Sequence, residues 1–308
     1  MIKLFEAFAG YGSQSLAFNR TKIPYNVVGI SEIDKTAIKA YYALHDSSIP
    51  NFGDIAKINP QNLPNFDLFT YSFPCQDIAP QGLQKGLIKG ITRSGLLYEC
   101  EKIIENKKPK YLLMENVKNL INKRFKPHFD QWLLYLESLG YCNSWFILNA
   151  CDFGIPQNRE RIFCISILND KKNININTNK NNSTIFDFID YNDTNYIGTT
   201  ENQNGIGAFR GRKNEKGVYI QKLEMRKDKN SNTLTTVAKD NVIVLDGKYR
   251  YLNGNECLKL MGLNQSEISK LTSIKLSEAQ KRKLSGNSIV IPVLQAIYEA
   301  TFNSKESE

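Results

Sequence analysis

The sequence predicts an α/β fold built on a doubly wound, mostly parallel sheet, with a smaller irregular or β domain attached. Three observations predict it. Over residues 1–168 short apolar runs alternate with amphipathic stretches, the pattern of strand–helix–strand units. The first run empties into a glycine turn, 8-FAGYGSQS-15, where such a sheet places its ligand loop. Beyond residue 169 the alternation stops and the texture becomes polar.

Taken in order, strands are expected at 2-IKLFEAF-8, 26-NVVGIS-31, 66-FDLFTYS-72, 110-KYLLMEN-116, 144-SWFILNA-150 and 162-IFCISIL-168. Between them 35-KTAIKAYYAL-44, 96-LLYECEKIIENK-107 and 129-FDQWLLYLESL-139 space apolar residues three and four apart, the helical period. The Asn- and Lys-rich 169–184 is expected to be a solvated linker. The stretch to about 240 is rich in Gly, Lys, Arg and Asn and is expected to be partly β and irregular. Helices are expected again at 255-NECLKLMGL-263 and over 286–302, whose apolar character predicts docking on the first domain. The expected division is 1–168, 169–270 and a returning segment, 271–308.

A chain of 308 residues can bury a substantial core. No apolar run approaches the ~20 residues that span a bilayer, so no membrane role is expected. The N-terminal MIKLFEAFAG has a short apolar core interrupted by Glu6, which does not suit a signal peptide. The 6 cysteines, at 75, 100, 142, 151, 164 and 257, include no CxxC pair. No metal site or disulfide framework is therefore expected, and a reducing cytoplasm fits. The net charge of +9 favours a polyanionic partner.

Four stretches carry candidate chemistry. Gly10 and Gly12 let the backbone approach a ligand, the following helix offers its positive end, and Glu32 lies about 20 residues on, the spacing used to hold a ribose diol. The third glycine of the dinucleotide version is missing, so a nucleoside without a pyrophosphate fits better. Asp54, in 53-GDI-55, can take an adenine amino group or cap a turn. In 71-YSFPCQDIAP-80, Cys75 follows a strand and is aimed by Pro74, which steers Phe73 away from helix. Filler, metal ligand and nucleophile all remain open for it at this point. The strand 111-YLLMENV-117 closes on Glu115 and Asn116, where partial desolvation suits a carboxyl to proton donation. In 154-GIPQNRERIF-163, Arg159 and Arg161 alternate on one face, aimed at an anion or carbonyl.

Together these motifs resemble the DNA (cytosine-5) methyltransferase family of the bacterial restriction–modification type. FAGYG resembles the family's S-adenosylmethionine loop, PCQ at 74–76 its nucleophile motif, ENV at 115–117 its base-binding motif and QNRER at 157–161 its arginine motif. Further on, 232-NTLTT-236 and 286-GNSIV-290 are similar to its last two motifs. The motifs come in the family's order and cover most of the chain outside 169–231. Ser72 and Ala79 depart from the glycine and serine common there, which touches the closing motion of the loop rather than a catalytic group.

The resemblance implies a Rossmann-like catalytic domain that binds S-adenosylmethionine through Phe8, Ala9, Gly10, Gly12, Glu32, Ile33, Asp54, Ile55, Leu96, Asn287 and Ser288. It implies Cys75 as nucleophile, Glu115, Arg159 and Arg161 as catalytic partners, and Pro74, Gln76, Asn116 and Val117 against the base. No metal is implied. Residues 170–235 are then expected to choose the target, with Arg210 and Arg212, on either side of Gly211, as candidates for guanine edges. The expected partner is double-stranded DNA, flipped at the target cytosine. A cognate restriction endonuclease, a monomeric state, and a cytoplasmic protein of bacterial or phage origin complete the expectation. The alternatives are a tRNA cytosine-5 methyltransferase, a catalytically inactive DNA-binding relative, and an NAD-dependent oxidoreductase.

Overall fold

A computed structural model describes residues 1–75, 77–79, 86–87 and 90–302. The chain forms two compact units: Met1–Leu148, Glu160–Asn177 and Leu294–Glu308 make the first, Asn149–Arg159 and Thr178–Val293 the second. These limits differ from the expected division at 168 and 270. Residues 149–159 hydrogen-bond with 231–234 and 260, and the helix at 278–286 packs against the one at 254–259.

The first unit is organised by a six-stranded sheet. Its strands are β1 (Ile2–Ala7), β2 (Tyr25–Ser31), β3 (Leu68–Tyr71), β4 (Tyr111–Val117), β5 (Tyr141–Asn149) and, after a two-residue β6 (Gln157–Asn158), β7 (Glu160–Leu168). The order is β2-β1-β3-β4-β7-β5. The first four run parallel, with Ala7 opposite both Ser31 and Tyr71, and Tyr71 opposite Met114, so their carboxyl ends share one edge. Strand β7 is antiparallel to β4 and starts at that same edge, Arg161 facing Val117. Phe5, Phe69, Leu112, Met114, Ile162 and Cys164 are buried in one core, as their near-continuous apolar runs require of strands covered on both faces.

Helices α1 (Ser13–Phe18), α2 (Lys35–Leu44), α3 (Leu97–Lys107) and α4 (Lys126–Ser138) join the strands of this unit. Asp34 caps α2 by accepting the Thr36 and Ala37 N–H groups. In α3, Leu97, Cys100, Ile103 and Ile104 form the buried stripe that the period predicted.

The second unit is more regular than expected. β8 (Gly198–Thr199), β9 (Gly205–Lys213), β10 (Tyr219–Met225), β12 (Val242–Leu245) and β13 (Lys248–Tyr251) form an antiparallel sheet ordered β10-β9-β12-β13-β8. The short β11 (Ser231–Asn232) pairs instead with β6. Helices α5 (Gly254–Lys259), α6 (Gln265–Ser273) and α7 (Glu278–Gly286) follow. Each opens on a capping box, Asn253 with Glu256, Asn264 with Glu267 and Ser277 with Gln280. Beneath them the buried Arg250 meets Glu256 at 2.7 Å.

The expected single helix over 286–302 is two pieces: α7 ends at Gly286, and α8 (Ile291–Phe302) begins after a turn. A Cβ at Gly286 would lie 2.8 Å from the Thr235 carbonyl carbon, so only glycine fits that contact. Toward its far end α8 docks through Tyr298, whose ring stacks on Phe18 at 3.9 Å between centroids. The segment 169–184 has no helix or strand, as expected, yet Ile174 within it is buried. No helix among the described residues is long and apolar enough to cross a membrane.

Candidate active site

The carboxyl edge of the first unit's sheet gathers the candidates in that unit. At the end of β1 the chain enters a tight turn with Phe8, Gly10 and Gly12 all at positive φ. A Cβ on Gly12 would overlap the His45 and Tyr41 rings, so glycine is required there on both counts. His45 Nε2 in turn lies 3.0 Å from the Tyr11 carbonyl. Ala9 is buried, while Phe8 packs half-buried on the core.

Glu32, at the end of β2, fastens this turn. Its Oε2 accepts the Gly10 N–H at 2.9 Å, and its Oε1 accepts the Ile33 and Asp34 N–H groups at 2.8 Å each. Beside it Ile33 is 69% exposed, an apolar side chain held at the edge without a covering neighbour's burial. Asn51 braces the same strand end, accepting the Glu32 and Gly53 N–H groups. Asp54 accepts the Ala56 N–H and so caps a short turn, and Ile55 is buried beneath it. Both readings of Asp54 therefore stay compatible, since the cap uses one oxygen. Leu96 lies half-buried just before α3.

Below the turn lies a residue that sequence reasoning used only against a signal peptide. Glu6 is fully buried, and its Oε1 accepts both the N–H and the hydroxyl of Ser15, at 2.8 and 2.5 Å. Burial pushes this carboxyl from 4.5 up to about 7, against the opposing bonds from Ser15. The folded chain thus binds a proton at Glu6 that the unfolded chain releases near 4.5. The resulting stability is fully present below that value and is lost as pH rises through about 7. Glu6→Gln should remove the dependence. Relative to wild type, its denaturant-unfolding free energy should rise by about 2–3 kcal/mol between pH 5 and 8. A difference that stays constant across that range would contradict the assignment.

The cysteine turn is anchored from three sides. The Asn116 Nδ2 donates to the Phe73 carbonyl at 3.0 Å, and the Ser94 hydroxyl donates to the Pro74 carbonyl at 2.7 Å. Asn119 donates its amide to the Ile78 carbonyl. The Cys75 carbonyl accepts the Ile78 and Ala79 N–H groups at 2.9 and 2.7 Å, closing the turn. Cys75 itself is partly exposed. By contrast, burial pushes the Cys164 and Cys257 thiols up to about 12 and the Cys100 thiol well above its ordinary value. Those three are packing residues, inert near neutral pH. Gln76 lies outside the described residues.

Asn116 was expected against the base. Its amide is buried, with Nδ2 on Phe73 and Oδ1 accepting the Val117 N–H, so within this unit it holds the cysteine turn in place. Ser94 and Asn119 share that work and were not anticipated, because nothing local in their own stretches marks them as anchors.

Glu115 lies one residue beyond the point where β4 faces the end of β3, and is 8% exposed. Arg161 Nε sits 3.3 Å from its Oε1. The partly desolvated carboxyl expected here thus has a cationic partner. Val117, facing Arg161 across the sheet, is half-buried against the core.

Arg159 falls in the gap between β6 and β7, its N–H bonding back to the Gln157 carbonyl at 3.0 Å, so the strand alternation expected of Arg159 and Arg161 does not run through it. In the second unit its guanidinium is buried and donates to three carbonyls: Nη1 to Leu234 at 2.9 Å, and Nη2 to Gly286 at 3.1 Å and Ser288 at 2.6 Å. Gln157, fully buried, adds a second clamp by accepting the Leu234 N–H and donating to the Leu260 carbonyl. Arg159 thereby ties together the three stretches 157–161, 232–236 and 286–290 that the sequence singled out separately. Asn287 caps α7, and the Ser288 hydroxyl donates to the Leu284 carbonyl.

Arg210 and Arg212 lie in β9 rather than in an irregular loop. Arg210 pairs with Asp240 at 2.8 Å, and Arg212 forks onto both oxygens of Glu224 at 2.7 and 2.8 Å. Among the described residues no group of three or more His, Cys, Asp or Glu gathers as a metal site.

The comparisons with known proteins agree with this arrangement. Residues 2–303 match the family model described as C-5 cytosine-specific DNA methylase. The Type II methyltransferase M2.ScrFI of Lactococcus lactis subsp. cremoris is 39% identical, over 99% of this chain and 100% of its own. The orphan methyltransferase M.SssI of Spiroplasma monobiae is 33% identical, over 97% of this chain and 96% of its own. Among solved structures, the S. pombe Dnmt2 methyltransferase superposes with a TM-score of 0.73 over 97% of both chains at 18% identity, a likeness of fold. With a cysteine turn, a carboxylate–guanidinium pair and a glycine ligand turn on one sheet edge, and a family match across nearly its whole length, this chain belongs to the C-5 cytosine-specific DNA methylases and is a DNA (cytosine-5) methyltransferase that uses S-adenosylmethionine.

Proposed function

We propose that Cys75 is the nucleophile of this methyltransferase, that Glu115 and Arg161 handle the cytosine ring, and that the second unit selects the target on duplex DNA. The observation that carries the proposal is the convergence of the thrice-anchored cysteine turn and the Glu115–Arg161 pair at one sheet edge.

S-adenosylmethionine fits the β1–β2 end of that edge. The Gly10–Gly12 turn allows close backbone approach, and the Glu32 carboxylate beside it suits a ribose diol. The exposed Ile33 offers an apolar face for adenine, and the second oxygen of Asp54 suits the adenine amino group. When bound, the cofactor supplies a methyl group on a sulfonium, an electrophile for a carbon nucleophile. Glu32→Ala removes both the ribose contact and the brace on Gly10, and should weaken cofactor binding by about 1.5–3 kcal/mol. Calorimetry showing unchanged affinity would refute this placement.

Carbon 5 of cytosine is a poor nucleophile. The Cys75 thiolate adds to carbon 6, and the ring electrons released toward carbon 5 form the bond to the methyl as its bond to sulfur breaks. Glu115 holds a proton at ring N3 and Arg161 neutralises charge at O2. Arg161 takes this role in place of Arg159, whose Nη1 and Nη2 bind carbonyls of the second unit. Departure of the carbon-5 proton and expulsion of Cys75 then restore the ring. Attack on carbon 6 comes from above the ring plane, so the base must leave the stack.

The relatives include Type II and orphan methyltransferases. We place this enzyme with the former, as a cytoplasmic monomer acting beside a cognate endonuclease. Tritiated-methyl transfer to duplex DNA, single-stranded DNA and tRNA, followed by nucleoside analysis, tests the substrate. 5-Methylcytosine formed mainly in the duplex is expected, and preferential methylation of tRNA would overturn the reading.

A further inference from the structure

We infer that Asp240 is a positioning residue for DNA recognition, holding Arg210 so that one edge of its guanidinium is preset for a single base pair; this rests on the second unit's role in target selection. The two candidate arginines of β9 differ in how they are held. Arg212 has Nε and Nη2 bonded to Glu224, so the two-donor fork that matches a guanine is already closed on a carboxylate. Arg210 has only Nη1 engaged, on Asp240 Oδ1, while its Nε and Nη2 make no hydrogen bond among the described residues. The sequence offered both arginines as readers; the geometry favours Arg210.

Asp240 is built to be immobile. Its second oxygen, Oδ2, accepts the Thr235 hydroxyl at 2.7 Å. Its backbone carbonyl accepts the Asn232 amide at 2.9 Å, and the Asn232 side-chain oxygen accepts Arg226 Nη1 at 2.9 Å. The Asp240 side chain is 17% exposed and that of Arg210 38%, so the carboxylate is anchored inside and the guanidinium faces outward. A long arginine side chain loses rotamer freedom when it binds, and a buttress that removes that freedom beforehand lowers the cost of recognition. Leu234, next to Thr235, is held independently by Gln157 and Arg159. Loss of the Asp240 charge therefore frees Arg210 without releasing the 232–236 segment.

The test compares wild type, Arg210→Ala, Asp240→Asn and the double variant. Substrates are the cognate duplex, mapped by sequencing methylated cytosines from an expressing host, and its single-base variants at two salt concentrations. Arg210→Ala should relax preference at one base pair, and Asp240→Asn should relax the same pair by about tenfold in kcat/KM ratio. The double variant should relax it no further than Arg210→Ala alone, while cofactor affinity stays at the wild-type value. If Arg210→Ala relaxes the pair and Asp240→Asn does not, the inference fails and the target-selection reading stands. If Asp240→Asn slows every duplex equally, its role is structural and the inference fails. If Arg210→Ala slows every duplex equally and flattens the salt dependence, Arg210 clamps phosphate, and both readings of it fail together.

Discussion

Replacing Cys75 with serine is expected to lower methyl transfer to duplex DNA by at least about 10³-fold, since a hydroxyl near neutral pH is a far weaker nucleophile than a thiolate. Cofactor affinity should not change, because the Gly10–Gly12 turn and Glu32 are held by bonds that do not involve the cysteine. Serine also keeps the backbone carbonyls of Phe73, Pro74 and Ile78 that anchor the turn. The loss should therefore fall on kcat. Cys151→Ser provides the contrast: that thiol is pushed up by burial and by Asp152, and its loss should leave the rate within about twofold, as for substitutions away from the chemistry.

The second large effect is expected at Glu115. Glu115→Gln keeps the shape but cannot hold an acidic proton at ring N3, and should lower kcat by roughly 10²–10⁴-fold, the usual contribution of a positioned acid or base. Arg161→Ala should lower it too, and the double variant should be little worse than Glu115→Gln alone. Two residues 3.3 Å apart that act on one ring couple rather than add. Single-turnover rates on a saturating duplex check this. Additive losses, or a Glu115→Gln enzyme with its full rate, would remove Glu115 from the chemistry.

The first unit was legible because its signals are local. Apolar runs about the length of strands alternate with 3.6-period helices, and each rim residue follows its own strand, so Glu32, Cys75 and Glu115 reach one edge as doubly wound topology requires. For Arg159 two-residue alternation was carried through the gap between β6 and β7. Its three carbonyl partners lie 75 to 129 residues away, and no local pattern announces them. The helices α6 and α7 were missed although both capping boxes, Asn264 with Glu267 and Ser277 with Gln280, stand in the sequence. The antiparallel sheet of the second unit was hidden for a different reason. β9 is interrupted by glycines and ends in exposed charges, and β10 begins on an exposed half that mixes apolar, polar and charged residues, so neither shows clean alternation. Pairings such as Arg210 with Asp240 are tertiary and cannot be read from composition.

The central claim, a covalent bond between Cys75 and the target cytosine, is tested most directly by trapping it. A duplex carrying 5-fluorocytosine at the mapped target cannot lose a proton from carbon 5, so the adduct persists once the methyl has been transferred. Incubation with S-adenosylmethionine should give a denaturation-resistant complex, and mass spectrometry of its proteolytic digest should place the modified nucleotide on the peptide containing Cys75. Wild-type and Cys151→Ser protein should trap alike, and Cys75→Ser should not trap. An adduct mapped to another residue, or equal trapping by Cys75→Ser, would contradict the account.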